Sequence, residues 1–379
     1  MNKREYQICI NCVMDTTDSK ITFNNEGMCD HCQHFYGNIK PKWIVNEKSK
    51  EKLENIVAKI KKKNKKRKYD CIIGLSGGMD STYLLYYAKE VLGLRPLVFA
   101  VDTGWNLPVA DKNIDNLLKG LNLEKIDYKI DKEEMRDLQL AFFKSQVPYQ
   151  DMPQDHVIFA SLYNFAVKSK IKYILTGGNL STESMREPNE WVYMNDLRMM
   201  KDIYKKFSKK KKIKKLPTAS IFKYKIYYKY FKGMKVYRPL DLIPYSKQIA
   251  LDTLTEKFSY EPYANKHYES RLTRFYEGYW LYHKFGYDKR KAYFSSLIVS
   301  NQMTREEALE TLKKPPYDEK EALEDMRIIV EKLGITVEEF KIMMKEPNKT
   351  YKDYKNSFWL IKFGVWISKK LGLSKMQYR

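Results

Sequence analysis

The chain has 379 residues, 43% of them hydrophobic, and carries 70 Lys and Arg against 47 Asp and Glu, a net charge of +23. This composition excludes a disordered chain and fits two or three folded domains, while the positive charge favours anionic partners. Because the N-terminus MNKREYQICINC has no apolar signal core and no run approaches the roughly 20 apolar residues of a membrane helix, we expect a cytoplasmic protein.

Four of the five cysteines form two C-x2-C pairs, Cys9 with Cys12 and Cys29 with Cys32. In a reducing compartment this spacing predicts two knuckles that share one tetrahedral zinc ion. The alternatives are free thiols or a redox dithiol, and a histidine in place of one thiolate. We interpret residues 1–45 as a zinc-binding module whose folding depends on the metal.

A basic helical linker is expected over residues 46–68. Leu53, Ile56, Val57 and Ile60 recur at helical spacing and are followed by the run KIKKKNKKRK. We expect this run to be a solvated helix end.

The stretch from Tyr69 to Gly93 predicts a buried strand, a glycine turn and a helix. Within it, Ser76–Ser81 (SGGMDS) offers backbone N–H groups and a helix N-terminus, which suit a phosphate or pyrophosphate. Asp80 stands where the common phosphate loop has Lys, so a metal ion is expected to bridge Asp80 and the anion. The alternative is an ordinary turn between a strand and a helix. Cys71 lies in the predicted strand and is interpreted as a core residue.

Strands and helices alternate from Tyr69 onward. Further strands are predicted at 95–102, 125–130 and 171–179, separated by helices around 109–121, 135–143 and 155–167. This alternation predicts a parallel sheet with helices on both faces and a ligand at the carboxyl ends of its strands. Residues 76–81, 102–106 and 177–179 should therefore share one rim.

The pattern breaks at 201–235, a lysine-rich stretch with many aromatic residues that we interpret as an insertion. It suits single-stranded nucleic acid, an anionic membrane, or a solvated loop followed by a helical hairpin. The rest of the chain is predicted to be helical, with Thr304 capping one helix. The basic amphipathic stretch 358–373 is expected either to dock on the body or to contact a membrane or a partner.

The turn Ser76–Ser81 resembles the pyrophosphate loop of the PP-loop, or N-type, ATP pyrophosphatases, and RPLDLIPYSKQI (238–249) resembles a later element of that fold. The strings CVMDTTD, DTGWN, PQDH and TGGNLSTES and residues 266–300 resemble the N-acetyl sugar amidotransferases of bacterial surface polysaccharide and nonulosonic acid assembly. The resemblance covers nearly the whole chain except 201–235. It implies a doubly wound parallel sheet over 69–250, with the zinc-ribbon-like module before it and a helical substrate or partner region over 251–379.

The resemblance also implies a reaction that uses ATP and Mg²⁺, with Zn²⁺ in the N-terminal module. ATP would adenylate the acetamido oxygen of an N-acetyl sugar, and ammonia would then displace AMP to leave an acetamidino group. The sites that it implies are pyrophosphate on Ser76, Gly77, Gly78 and Ser81, magnesium on Asp80, adenosine near Asp102, and the α-phosphate near Gly177, Gly178 and Asn179. Asp80, Ser81, Asn179 and Glu183 would be the catalytic residues. An acidic sugar or its nucleotide would meet Lys266, His267, Arg271 and Arg274, for which the alternative is a charged helix face.

The implied partners are separate glutaminase and cyclase-like subunits that deliver ammonia, and nucleic acid is not expected among them. The main rival is a PP-loop tRNA-modifying enzyme such as a thiolase, which usually carries sulfur on reactive cysteines near the ATP site. Residues 72–379 contain no cysteine, which argues against that rival. A second rival is a non-catalytic binding module, against which the intact SGGMDS and GGN turns argue.

Overall fold

The computed structural model describes residues 4–193 and 195–370. Its strands are β1 (Cys71–Gly74), β2 (Pro96–Asp102), β3 (Lys125–Lys129), β4 (Tyr173–Leu175) and β5 (Lys235–Tyr237). Its α-helices are α1 (Asp30–His34), α2 (Glu47–Asn64), α3 (Met79–Tyr86), α4 (Pro108–Gly120), α5 (Lys132–Lys144), α6 (Met152–Lys168), α7 (Leu180–Glu183), α8 (Leu197–Phe207), α9 (Lys247–Phe258), α10 (Arg271–Phe275), α11 (Arg290–Val299), α12 (Arg305–Leu312), α13 (Glu319–Leu333), α14 (Val337–Lys345) and α15 (Phe358–Lys370). Segments Phe35–Ile39, Tyr87–Val91, Lys223–Phe231 and Tyr276–Phe285 are π-helical, and Pro239–Leu242 and Tyr351–Asp353 are 3₁₀-helical.

The strands form one five-stranded sheet in the order β3-β2-β1-β4-β5, and all of its neighbours pair in parallel. Ile72 at the centre pairs with Leu97 on one side and with Ile174 on the other. Strands β2 and β3 are added on one side of β1, and β4 and β5 on the other. The strand order therefore switches between β1 and β4. In open parallel sheets ligands bind at such a switch point, beyond the carboxyl ends of the strands.

Alternate residues of the central strands pack into two different cores. Ile73 and Leu175 face one core, which α2, α3, α4 and α9 cover. Ile72 and Ile174 face the other core, which holds Ala160 and Leu162 of α6. The period-two alternation of strand side chains produces both faces, so the predicted doubly wound fold class is confirmed.

The lysine-rich stretch differs from the predicted solvated loop and helical hairpin. Its residues form α8, an extended segment, a π-helix and the edge strand β5, and Tyr204, Leu216 and Tyr228 are buried. The carboxylate of Glu134 accepts hydrogen bonds from the backbone N–H groups of residues 214–216. These contacts tie the extended segment to α5, while the lysines at 209, 211 and 212 remain exposed.

The C-terminal third is helical, as predicted. Trp280, Phe275 and Phe340 are buried in a core that α10, α13, α14 and a π-helix share with Phe143 of α5. Thr304 caps α12 through a reciprocal pair of hydrogen bonds with Glu307. Helix α15 leaves Trp359, Phe363 and Trp366 exposed, and residues 371–373 of the predicted amphipathic stretch lie outside the described residues.

Candidate functional site

The turn between β1 and α3 is shaped by two glycines. Gly77 has a φ of +85°, which L side chains rarely adopt. Gly78 is the N-cap of α3, and its N–H donates to Oγ of Ser76 at 3.2 Å. The hydroxyls of Ser76 and Ser81 lie 3.2 Å apart. The turn therefore presents two hydroxyls and a helix N-terminus at the carboxyl end of the central strand.

Two other segments lie very close to the turn, and at Gly177 the backbone of the turn leaves no room for a side chain. A Cβ on Gly177 would lie 2.8 Å from the backbone carbon of Asp80, and one on Gly78 would lie 2.7 Å from Oε1 of Glu269. The glycine turn after β4 and the segment before α10 therefore meet the β1–α3 turn directly.

A mostly buried lysine joins these segments electrostatically. Nζ of Lys266 lies 3.0 Å from Oδ2 of Asp80 and 2.8 Å from Oε1 of Glu183, and it donates to Oγ1 of Thr182 at 2.8 Å. Burial disfavours its charged form, but the two carboxylates hold the pKa of Lys266 above its usual value. The hydroxyl of Tyr245 donates to the other carboxylate oxygen of Asp80. Lys266 thus supplies a cation that the turn itself lacks.

The neighbours of Lys266 have shifted pKa values. Burial, together with the charges of Lys266 and Lys289, lowers the pKa of His267 to about 3, so its imidazole is neutral at physiological pH. Burial and the negative charge of Asp80 raise the pKa of Glu269. Both side chains line the same cleft as the glycine turn.

This cleft has a volume of about 1200 Å³ and follows the carboxyl edge of the sheet. Ser76, Asp80, Asp102 and Gly177 line it, so the three segments predicted to share a rim do meet. Asp102 accepts from the N–H of Gly104 at 2.8 Å and pairs with Lys132 at 3.1 Å. Although burial opposes it, this pairing lowers the pKa of Asp102.

The cleft is lined by more acidic than basic residues, although the chain as a whole is basic. Eleven acidic residues and five lysines line it, whereas the whole chain has a net charge of +23. Three of these acidic residues, Asp151, Asp155 and Glu277, lie near Lys289, and burial raises the pKa of each.

Several predicted site residues do not line the cleft. Asn179 is fully buried and caps α7, with Oδ1 accepting from the N–H of Thr182 at 2.9 Å. Arg271 and Arg274 both pair with Asp325 of α13. Gly77 packs against α4, and its carbonyl accepts from Tyr263 at 3.0 Å. In this structure these residues contact other parts of the protein, and their predicted roles in ligand binding stay predictions.

Sequence reasoning missed the functional candidates Asp151, Glu269, Glu277, Lys289 and Tyr245. Four of them lie in sequence strings that resemble the family. Tyr245 lies in RPLDLIPYSKQI, and Glu269, Glu277 and Lys289 lie in the stretch 266–300. Neither string has a periodicity that singles these side chains out.

The four N-terminal cysteines converge as their spacing predicts. All four are buried, and their Sγ atoms lie within 4.8 Å of one another. Sγ of Cys9 lies 3.9 Å from Sγ of Cys32, and Sγ of Cys12 lies 3.7 Å from Sγ of Cys29. Zinc–sulfur bonds of about 2.3 Å place the ligands of a tetrahedral ion about 3.8 Å apart. The four thiols therefore fit a single metal ion.

Backbone amides surround these sulfurs. The N–H groups of Asn11, Cys12 and Cys29 donate to Sγ of Cys9, and the side-chain amide of Asn11 donates to Sγ of Cys32. Such donors stabilise thiolates, which are the metal-binding form. Cys71 does not belong to this cluster, and burial raises the pKa of its thiol.

The comparisons with known proteins agree with part of this picture. Residues 269–368 match the family described as LPS biosynthesis protein WbpG-like, C-terminal domain. Over these residues, the match agrees with the predicted resemblance to proteins of surface-polysaccharide assembly. The WbpG-like region, as residues 269–368 are called below, contains Glu269, Glu277 and Lys289 of the cleft.

One curated relative is an uncharacterised protein of Methanocaldococcus jannaschii, 30% identical over 192 residues. The alignment spans 49% of this chain and 65% of the relative, so the chain covers less than two thirds of that protein.

Two solved structures align with most of the chain, each at 14% identity and a TM-score of 0.33. One is NMN synthetase from Francisella tularensis, which covers 80% of this chain and 97% of its own. The other is the U34-tRNA thiolase NcsA from Methanococcus maripaludis with its [4Fe-4S] cluster, which covers 91% of each. Superpositions this loose establish no shared function.

Within residues 4–193 and 195–370, the helices are all too short or too polar to cross a bilayer.

Proposed function

We propose that this chain is an ATP-dependent enzyme of surface-polysaccharide biosynthesis that converts the acetamido group of an N-acetyl sugar into an acetamidino group. In the first step the amide oxygen attacks the α-phosphorus of ATP, and pyrophosphate leaves. In the second step ammonia displaces AMP from the activated carbon. An amide oxygen is a poor leaving group, and its adenylation makes the displacement feasible.

One observation carries this proposal. The WbpG-like region and the β1–α3 turn both line a single cleft, and Glu269 of that region accepts from the Ser76 hydroxyl at 3.3 Å. A turn suited to phosphates and a region matched to LPS biosynthesis therefore face the same ligand space.

The residues of the turn would bind the departing pyrophosphate. Ser76, Gly78 and Ser81 lie at the N-terminus of α3, where free N–H groups and the helix dipole favour an anion. Lys266 adds a full positive charge next to the turn. These groups would stabilise the charge that develops on the leaving oxygens.

Asp80 is the residue best placed to hold magnesium with the ATP phosphates. Mg²⁺ usually takes one or two protein carboxylates and fills its remaining positions with phosphate oxygens and water. The Asp80 carboxylate has further lone pairs besides those used by Tyr245 and Lys266. The ion, when bound, would neutralise charge on the β- and γ-phosphates. Glu183 would keep Lys266 in place between the turn and α7.

The remaining assignments extend this proposal. Asp102 and Gly177 would lie by the adenosine and the α-phosphate, and Lys247, which also lines the cleft, could meet the anionic part of an acidic or nucleotide-linked sugar. Zinc is proposed for the four cysteines, because sulfurs this close together surround one ion rather than a multi-iron cluster. Separate glutaminase and cyclase-like subunits are proposed as the ammonia source.

The decisive experiment incubates the purified chain with ATP, Mg²⁺, ammonium chloride and candidate N-acetylated sugars. Mass spectrometry should find a product about one mass unit lighter than the sugar, because NH replaces O, and chromatography should find AMP with pyrophosphate. ADP as the nucleotide product would contradict the proposal. Modification of bulk tRNA without any sugar would favour the tRNA-modifying alternative.

A further inference from the structure

Two buried acceptor oxygens on the cleft wall lack hydrogen-bond partners among the described residues. They are Oδ1 of Asp151 and Oε1 of Gln154, on side chains that are 5% and 6% exposed. Both residues line the cleft at the start of α6. A buried acceptor without a donor is costly, so this wall is suited to a ligand that brings hydrogen-bond donors.

The charges around Asp151 show which kind of donor fits. Lys289 pairs with Glu187 at 3.0 Å and with Glu277 at 2.6 Å, and Asp155 accepts from the hydroxyl of Tyr149. Among the ion pairs of the described chain, neither Asp151 nor Asp155 takes part in one. The cluster therefore has more carboxyl groups than cations. Burial raises the pKa of both Asp151 and Asp155, so a positively charged donor bound beside them would stabilise their ionised forms.

Two aromatic rings complete the surroundings. Tyr149 and Tyr276 both line the cleft, with ring centroids 6.0 Å apart, and Nζ of Lys289 already lies 5.6 Å from the centre of the Tyr276 ring. Aromatic faces attract compact cations such as ammonium groups. The hydroxyl of Tyr276 is itself buried without a partner in the part of the chain that the structure describes.

We propose that Asp151 and Gln154, with the rings of Tyr149 and Tyr276, form a subsite for the ammonium ion. The inference rests on the proposed function, in which ammonium is the one co-substrate that is a small cation with N–H donors on every side. A sugar hydroxyl would also donate to the two oxygens, but it is neutral and would not stabilise the ionised form of Asp151.

The subsite would also prepare the nucleophile. Ammonium gives one proton to a neighbouring carboxylate, and the freed lone pair of ammonia forms a C–N bond with the adenylated carbon. The C–O bond to AMP breaks, and its electron pair leaves on the AMP phosphate. The product is an amidinium ion with one N–H proton on the sugar nitrogen and two on the nitrogen from ammonia, and the third proton of ammonia leaves with AMP. Glu277, whose pKa burial raises to about 7, is a suitable proton acceptor.

The test varies ammonium chloride at saturating ATP and sugar for the wild type, Asp151→Asn and Gln154→Leu. We expect Asp151→Asn to raise the KM for ammonium about tenfold or more, which is the loss of one charge-assisted hydrogen bond. The KM values for ATP and sugar should stay within about threefold of wild type. Gln154→Leu should raise the KM for ammonium by a smaller factor. Asp252→Asn on the exposed face of α9 is the matched control.

A separate readout distinguishes failure of this inference from failure of the proposed function. Sugar-dependent exchange of labelled pyrophosphate into ATP, measured without ammonium, reports the adenylation step alone and should be unchanged in Asp151→Asn. Absence of exchange in the wild type would refute the proposed function. If exchange is normal, two results for Asp151→Asn would overturn the ammonium subsite. One is a changed KM for sugar, and the other is an unchanged KM for ammonium. If Asp151→Asn fails to fold, it will lack exchange as well. The KM for ammonium of Gln154→Leu then decides whether the subsite exists.

Discussion

The ammonium group of Lys266 lies 3.0 Å from Asp80, at the start of α3, although the two residues are far apart in the sequence. The same group pairs with Glu183 at the end of α7. One cation therefore compensates two carboxylates on separate elements and holds the glycine turn, α7 and the segment before α10 together.

Replacing Lys266 with Met should destabilise the fold, because the mostly buried carboxylate of Asp80 and the more exposed carboxylate of Glu183 would lose their counter-ion. We expect the free energy of unfolding to fall by about 2 kcal/mol, less than for a fully buried pair because solvent screens Glu183. Urea unfolding measures the loss. Adding Glu183→Gln to Lys266→Met should recover part of it, and strictly additive losses would show that the pair is not coupled.

Replacing Asp80 with Asn should leave the fold intact and slow ATP turnover by about a hundredfold, the loss expected when a key charge stabiliser is removed. Pyrophosphate release in the presence of sugar and ammonium measures turnover, and circular dichroism checks the fold. Asp252→Asn provides the matched control. Wild-type turnover in Asp80→Asn would exclude Asp80 from the phosphate and magnesium chemistry.

Replacing Cys29 with Ser should remove the bound metal and lower both solubility and thermal stability, because metal binding contributes folding free energy. Elemental analysis of the wild type should find about one zinc per chain and little iron. Cys71→Ala is the control for loss of a buried thiol and should keep the metal. The zinc assignment fails if the pure wild-type chain is stable and contains no metal.

Replacing Glu277 with Gln should change how stability depends on pH. Burial raises the pKa of Glu277 from 4.5 to about 7 in the folded chain, so between these values the native state holds a proton that the unfolded state has released. Stability must then fall as pH rises through this window and level off above it. Urea midpoints at pH 5, 6, 7 and 8 should show wild type losing stability relative to Glu277→Gln. Parallel curves would mean that Glu277 titrates normally.

The purified chain should use ammonium and not glutamine, because its one cysteine outside the metal set, Cys71, is buried in β1 and unsuited to be a glutaminase nucleophile. Glutamine should become a donor when a separate glutaminase is added. Changing the exposed lysines 209, 211 and 212 to Glu should weaken that coupling, since opposite charges guide docking, and should spare ammonium-driven turnover. Amidine formation from glutamine by the single chain would contradict this prediction.

Much of the fold could be predicted, because β1 and β2 are apolar runs and α4, α5 and α6 have clear helical periodicity. The edge strand β5 was missed for a physical reason. Lys235–Tyr237 is only three residues long and is followed by Arg238 and Pro239, so it has neither the length nor the alternation of a strand. Pairing with β4 creates it.

The site was predictable only in part. The turn Ser76–Ser81 has a local pattern that indicates a phosphate site, whereas Asp151, Glu269 and Lys289 come from separate elements. Their functional character arises from burial and mutual charge, which no local pattern encodes. Asn179 is the opposite case. It lies in a recognisable glycine turn and was predicted to be catalytic, whereas in the structure its side chain caps α7.

The N-terminal cysteine module, residues 9–32, is hydrogen-bonded to the last third of the chain. The N–H of Val13 donates to Oγ of Ser295 at 3.2 Å, and the guanidinium of Arg305 donates to the carbonyl of Cys9 at 2.9 Å. During translation residues 9–32 leave the ribosome long before their docking surface on α11 and α12 has been made. Until then, the metal ion proposed for the four cysteines would be the main constraint that holds the knuckles together. Cells starved of zinc should therefore accumulate nascent chains whose N-terminal thiols react with alkylating reagents, even when the rest of the chain has been synthesised normally.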